Sequence, residues 1–425
     1  MAKHAALPGF RDFYPEEMAR RNQIFGAWKD VARRYGFEEY DGPPLEALEL
    51  YIEKSGPEIV NQLFNFTDKG GREVALRPEM TPTLVRMLGA RIKGLPRPVR
   101  WFSMPQLFRY EKQQRGRLRE HFQLNMDIIG EESVLADADL VAAALDVLRT
   151  LGLTADDVVA RYSDRRLLHA ALTDLGVSEE NLPTAYNVID KVERDPREVC
   201  VQRLREIGLS PEAAENALGL TSLSLEEITS RYAGHPEFEQ VLEDLRQYEE
   251  ALGALGFGDW IQFDMKIVRG LAYYTGIVFE IFDRKGELRA ICGGGRYDRL
   301  FSSLAAIDVP ALGFGFGDVV LGELLKDRGL AATQSKRVDV FAITGGGGNR
   351  AATLSIVARL RRGGKSVVSP YGEPAVGKAL RAAANSGATS AVIVGADEVA
   401  KGTVTVKDLK TGEQRELTVE QFLEE

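Results

Sequence analysis

Between Phe108 and Ile128 the chain reads Phe108-Arg109-Tyr110-Glu111, a loop, then Gly116-Arg117-Leu118-Arg119-Glu120-His121-Phe122-Gln123-Leu124-Asn125-Met126-Asp127-Ile128. Period two on a strand places Arg117, Arg119, His121, Gln123, Asn125 and Asp127 on one face and Leu118, Phe122, Leu124, Met126 and Ile128 on the other. Alternation alone is met equally by a solvated face of an antiparallel sheet. The composition points further. A wetted strand carries mostly Thr, Lys and Glu, whereas three arginines, a Gln and an Asp around a glycine loop suit a site that grips phosphate and a small polar ligand. Arginine's planar fork matches phosphate oxygens two at a time.

Three other segments could add to such a site. Ile267-Val268-Arg269-Gly270-Leu271-Ala272-Tyr273-Tyr274-Thr275-Gly276 offers a cation and two flat walls with hydroxyl tips, and Gly293-Gly294-Gly295-Arg296-Tyr297-Asp298 lets backbone approach a ligand closely. The tyrosine pair also reads as core or rim, and the glycine run as a bulge. In Leu76-Arg77-Pro78-Glu79-Met80-Thr81-Pro82-Thr83 a strand stops at a proline and presents a carboxylate and a hydroxyl. Glu79 there is either a grip for an ammonium group or an ordinary surface acid.

The elements that must position these residues follow from periodicity. Pro15-Glu16-Glu17 opens an amphipathic helix stopping at Gly36, strands flank the turn Asp68-Lys69-Gly70-Gly71, two strands lie between Val99 and Ile129, and a helix runs from about Ala138 to Thr150. From 177 to 255 the sequence is charged and leucine-dotted, with breaks at Pro183, Pro196, Pro211 and Pro236, which predicts a helical insertion. Strands return at Ile261–Ile267 and Thr275–Phe282. Beyond Lys326 strands and helices alternate, as in a small α/β domain with a mostly parallel sheet, closed by a hairpin turning at Thr411-Gly412 and a capping box at Thr418-Val419-Glu420-Gln421. The run Thr344-Gly345-Gly346-Gly347-Gly348-Asn349 lacks the Lys-Ser/Thr of a P-loop and reads as a loop of that domain.

At 425 residues, with 44% hydrophobic and 28% charged side chains, the chain has room for several domains and the composition of a folded protein. It contains no apolar run long enough for a membrane span, and no signal core or arginine-rich presequence, so a cytoplasmic protein is expected. Cys200 and Cys292 have no partners at metal-ligand spacing and read as plain thiols. A net charge of −9 argues against a general nucleic-acid coat, although residues 336–425 hold 13 basic against 10 acidic side chains, a net of +3.

Together these segments resemble the class II histidyl-tRNA synthetases over essentially the full length. Gly9-Phe10-Arg11-Asp12-Phe13-Tyr14-Pro15 is similar to the family's opening, Pro43 to the dimer-interface proline of the first class II motif, and Phe108–Asp127 to the second motif; Arg269-Gly270-Leu271-Ala272-Tyr273-Tyr274 and Gly294-Gly295-Arg296-Tyr297-Asp298 resemble signatures peculiar to histidine enzymes. The resemblance implies an α+β catalytic domain on an antiparallel sheet (1–176 and 256–328), a helical insertion (177–255) and a C-terminal α/β anticodon-binding domain (336–425). It implies a homodimer that uses ATP with Mg2+, histidine and tRNA(His), with no protein ligand assigned to the metal and no tightly bound cofactor.

By the same resemblance Arg269 and Arg109 are the catalytic residues. Arg109, Glu111, Arg117 and His121 bind ATP; Glu79, Thr81, Gln123, Asp127, Arg269, Tyr273, Tyr274 and Tyr297 bind histidine. Three positions depart from the family pattern: Ala272 stands where an aspartate is usual, Val320 where the third motif has an arginine, and His121 where a phenylalanine stacks on adenine, with Phe122 beside it. These departures leave one alternative, a paralogue that does not aminoacylate and serves as the regulatory subunit of a histidine-biosynthesis enzyme.

Overall fold

The computed structural model describes residues 4–110, 116–269, 273–333, 338–347 and 349–424. The chain falls into two units, Met1–Ala332 and Thr333–Glu425.

The first unit is built on a sheet in the order Glu38–Glu39, Val99–Ser103, Glu120–Ile129, Ala311–Gly317, Cys292–Arg296, Ile277–Asp283, Val158–Asp164, Ile261–Phe263, with Gln106–Phe108 pairing the start of the long strand. Every pairing is antiparallel except those of the outermost strands, Glu38–Glu39 and Ile261–Phe263. One face is covered. Helix Pro15–Arg34 starts at a proline with Glu16 and Glu17 in its first turn and ends with Arg33 and Arg34, each charge suiting the helix dipole. Its Ile24, Trp28 and Val31 enter the same core as Leu124, Met126 and Ile128 of the long strand. Helix Val134–Thr150 lies in that core with an unbroken buried run from Leu140 to Leu148, and helix Pro236–Ala254 packs against it.

Five helices lie between 182 and 254 among the described residues: Leu182–Asp190, Arg197–Glu206, Pro211–Leu220, Leu225–Arg231 and Pro236–Ala254. The four prolines that read as breaks start four of them, Pro196 as the cap and the others in the first turn. Val188, Leu204, Leu218 and Leu245 join the core of the main sheet.

Several elements differ from the sequence reading. The stretch 99–129 holds three strands, because Met104-Pro105 interrupts the first. The long strand begins at Glu120, so Arg117 and Arg119 precede it rather than belong to its polar face. Helix Val134–Thr150 starts before Ala138, capped by Ser133, whose hydroxyl accepts from the Leu135 N–H at 3.3 Å. Strand Ile261–Phe263 stops short of Ile267, and strand Val158–Asp164 is absent from the sequence reading altogether.

The second unit has a sheet in the order Val367–Val368, Val340–Thr344, Ser390–Val394, Thr403–Asp408, Gln414–Thr418, the first three parallel and the rest antiparallel. Its last helix is capped reciprocally: Gln421 N–H donates to Thr418 Oγ1 at 3.2 Å and Thr418 N–H to Gln421 Oε1 at 2.9 Å. Among the described residues no helix is long and apolar enough to cross a membrane.

Candidate active site

The open face of the main sheet floors a cleft of about 1170 Å³. Period two along Glu120–Ile129 turns His121, Gln123, Asn125 and Asp127 into it, while Leu124, Met126 and Ile128 go to the core. The ladder is unbroken at that end, with Leu107 opposite His121 and Gln106 opposite Phe122. Phe122 therefore lies on the covered side, against Phe13 and Phe25, and His121 is the ring that faces the cleft.

Two neighbouring strands make room. Gly313, Gly315 and Gly317 stand opposite Asp127, Asn125 and Gln123, and Gly295 and Gly293 stand opposite Gly313 and Gly315. A Cβ on Gly313 would collide with the Asp127 carboxylate, one on Gly315 with the Gln123 amide, and one on Gly293 with the Arg269 guanidinium. The glycines form a flat floor over which longer polar side chains fold, and Phe314 and Phe316 between them fill the core beneath.

Arg269 has φ 55°, a left-handed backbone that costs a residue with a side chain roughly 1–2 kcal/mol. Its Nη1 donates to Glu280 Oε1 at 2.7 Å. Burial opposes its charge, but Tyr274, Glu280 and Tyr273 outweigh burial and raise its pKa. Burial pushes Glu280 up, against the pull of Arg269. Tyr273 stacks obliquely on Tyr274, centroids 4.7 Å apart, and meets Tyr297 edge-on at 6.0 Å.

Tyr297 does more than wall the pocket. Its hydroxyl donates to Asp127 Oδ1, and burial pushes that carboxyl up to about 7 despite the bond. His121 goes the other way: burial, then the charge of Arg109, lower it to about 3, so the ring is neutral at working pH. At the other wall Glu79 is ion-paired with Lys54 of helix Leu48–Ser55, whose ammonium also lies 4.6 Å from the Tyr273 ring centre. Thr81 opens the helix Thr81–Gly89, and Arg109 Nε holds the Pro78 carbonyl at 3.1 Å.

Glu79, Thr81, Arg109, Arg117, His121, Gln123, Asp127, Arg269, Tyr273, Tyr274 and Tyr297 thus line one cleft, although they come from four distant segments. Glu111, the rest of the loop to Arg115, and Gly270, Leu271 and Ala272 lie outside the described residues. Sequence reasoning missed Lys54, Glu280 and Arg289. Glu280 left a signal, a lone acid inside the apolar strand Ile277–Asp283; Lys54 and Arg289 left none. Cys292 also lines the cleft, where burial raises its thiol far above the usual range. Among the described residues there is no group of three or more His, Cys, Asp or Glu placed to hold a metal.

The family model for histidyl-tRNA synthetase matches residues 9–317, and that for the anticodon-binding domain matches 339–425. The chain belongs to the histidyl-tRNA synthetase family. It is 45% identical to the histidine–tRNA ligase of Opitutus terrae, covering 99% of this chain and 97% of that one. It is 42% identical to the chloroplastic/mitochondrial histidine–tRNA ligase of Arabidopsis thaliana, covering 96% and 83%. The crystal structure of histidyl-tRNA synthetase from Nostoc sp. PCC 7120 has the same fold, with a TM-score of 0.83 at 24% identity over 100% of this chain and 99% of that one. Relatives so named at such coverage favour a synthetase over the regulatory alternative.

Proposed function

We propose that this chain is a histidine–tRNA ligase that activates histidine with ATP and transfers it to tRNA(His), acting as a cytoplasmic homodimer. The observation that carries the site assignment is the convergence, over one glycine floor, of the cations Arg109, Arg117 and Arg269 with the buried acceptor Asp127. The chemistry needs no protein nucleophile. Histidine's carboxylate attacks the α-phosphorus, pyrophosphate leaves, and the tRNA terminal ribose then displaces AMP. What the protein must supply is alignment and cancellation of the charge growing on the α-phosphate oxygens.

Arg269, held by Glu280, bridges the carboxylate and the α-phosphate, and Arg109 takes the α-phosphate from the other side. Arg117 meets the distal phosphates, and His121, neutral and flat, faces the adenine. Glu79, Thr81 and Gln123 orient the amino and carboxylate ends of histidine; the ammonium group then displaces Lys54 from Glu79. Asp127 and Tyr274 address the two imidazole nitrogens, donor to acceptor, and Tyr273 and Tyr297 close the walls. Magnesium accompanying ATP would supply further neutralisation of phosphate charge, with no ligand set for it among the described residues. Glu111 is assigned to ATP by resemblance alone.

The decisive measurement is amino-acid-dependent exchange of pyrophosphate into ATP. Exchange with histidine and not with other amino acids is expected. Its absence from folded protein that still binds histidine would favour the regulatory paralogue instead.

A further inference from the structure

One end of the cleft is built where three strands run out together. Gln123 pairs with Gly317 and Cys292 with Phe316, so the segment before Glu120, the segment after Gly317 and the segment before Cys292 emerge side by side. Gly317 N–H donates to the Ile291 carbonyl at 3.3 Å, which fixes the last two together. Arg117, Arg289, Val319 and Val320 line this end. The helix Asp318–Asp327 delivers only methyl groups there: a Cβ on Gly116, next to Arg117, would lie 3.3 Å from Val320 Cγ2. Cations arrive from elsewhere. Arg117 is pulled below the ordinary guanidinium range by burial and then by the charges of Arg289 and Arg109, so three guanidinium groups share one end of one cleft.

The turn that precedes Arg289 is anchored at its start. Arg284 Nη2 donates to the Asp259 carbonyl at 3.0 Å, its Nε donates to the Ala155 carbonyl, and Arg328 Nη2 donates to Asp283 Oδ1 at 2.6 Å. Arg289 itself is exposed and is paired with no carboxylate among the described residues. An exposed cation beyond a tethered turn, lining the same cleft as a second cation, suits a ligand with several negative charges.

We propose that Arg289 is a nucleotide-binding residue, clamping the β- and γ-phosphates of ATP together with Arg117 at the end of the cleft that Val319 and Val320 line. The assignment rests on the ATP-dependent activation proposed above. An oligophosphate bridging the two guanidinium groups turns their mutual repulsion into two charge-assisted contacts, and a fork on each side takes oxygens bidentately.

The test is calorimetric titration of the full chain with ATP and with AMP, for wild type, Arg289→Ala and Arg289→Lys, alongside histidine-dependent pyrophosphate exchange with ATP and histidine varied in turn. In Arg289→Ala the Kd and KM for ATP should rise about ten- to hundredfold, with AMP affinity and the KM for histidine unchanged and with lysine restoring part of the loss. Unchanged ATP binding, or equal losses for ATP and AMP, would overturn the clamp. The two readings separate cleanly: a lost preference for ATP over AMP without any wild-type exchange keeps the clamp and removes the activation chemistry. Normal exchange with an undiminished preference in the variant does the reverse.

Discussion

Arg269 and Asp127 show how single residues in this cleft trade stability for chemistry. Arg269 holds a left-handed backbone and a partly buried charge, tolerated because Glu280 and the paired tyrosines favour the cation. In the role proposed for it, its charge acts mainly when the α-phosphate becomes pentavalent, so Arg269→Ala should lower the rate of adenylate formation about a hundred- to thousandfold with folding intact. Single-turnover kinetics check this, and near-normal turnover in the variant would remove the role. Asp127 has the opposite cost. Unfolded, its carboxyl titrates near the ordinary value of about 4; folded, burial holds it at about 7. Between those values the folded chain binds more protons than the unfolded one, so the contribution to stability is full below about pH 4 and is lost as pH rises through 7. Asp127→Asn should therefore stabilise the ligand-free protein by up to a few kcal/mol at pH 8, with the advantage fading towards pH 4, while histidine affinity falls. Thermal melts across that range give the answer; a pH-independent difference would mean that the buried charge is not its source.

At the scale of elements, the decisive structure is the pair of glycine-bearing strands Cys292–Arg296 and Ala311–Gly317. Their phenylalanines build the core while their glycines leave the other face empty for Asp127, Gln123 and Arg269. Gly313→Ala should disturb the Asp127–Tyr297 contact and raise the KM for histidine more than that for ATP. Gly293→Ala should displace Arg269 and depress kcat. Steady-state kinetics distinguish the two, and equal effects on both substrates would argue against separate places for them. The same strands show what was legible beforehand. The polar alternation from His121 to Asp127 was readable because one face carries polar side chains to the cleft and the other packs apolar ones into the core, a contrast that period two exposes directly. Strand Val158–Asp164 was not, because it is buried on both faces apart from Arg161 and carries Ser163 and Asp164 into the interior. Asp164 also caps the following helix Arg165–Asp174 and so reads as a loop residue. Glu280 and Lys54 escaped for a related reason, since their importance lies in the partners they meet, Arg269 and Glu79, on neighbouring elements whose packing periodicity does not reveal.

Over the whole molecule, the cleft proposed for adenylate chemistry and the matched anticodon-binding region fall in different units. Every residue lining the cleft belongs to Met1–Ala332, and the anticodon-binding match lies within Thr333–Glu425. The second unit has its own buried clusters, around Val357 and Leu360 on one side of its sheet and around Ala379 and Ala383 on the other. A chain ending at Ala332 should accordingly keep histidine-dependent pyrophosphate exchange within a few-fold of the intact protein. Aminoacylation of tRNA(His) should fall about a hundredfold or more if the second unit grips RNA as its anticodon-binding match leads one to expect, since every described side chain of the cleft is retained. Salt gives an independent check. RNA affinity falls with salt in proportion to the phosphates neutralised, so the intact chain should show the steeper dependence, with the basic side chains of helix Arg350–Arg362 among the contributors. Equal losses of exchange and aminoacylation would mean instead that the second unit is needed to build the cleft itself, and the division of labour between activation and RNA recognition would fail.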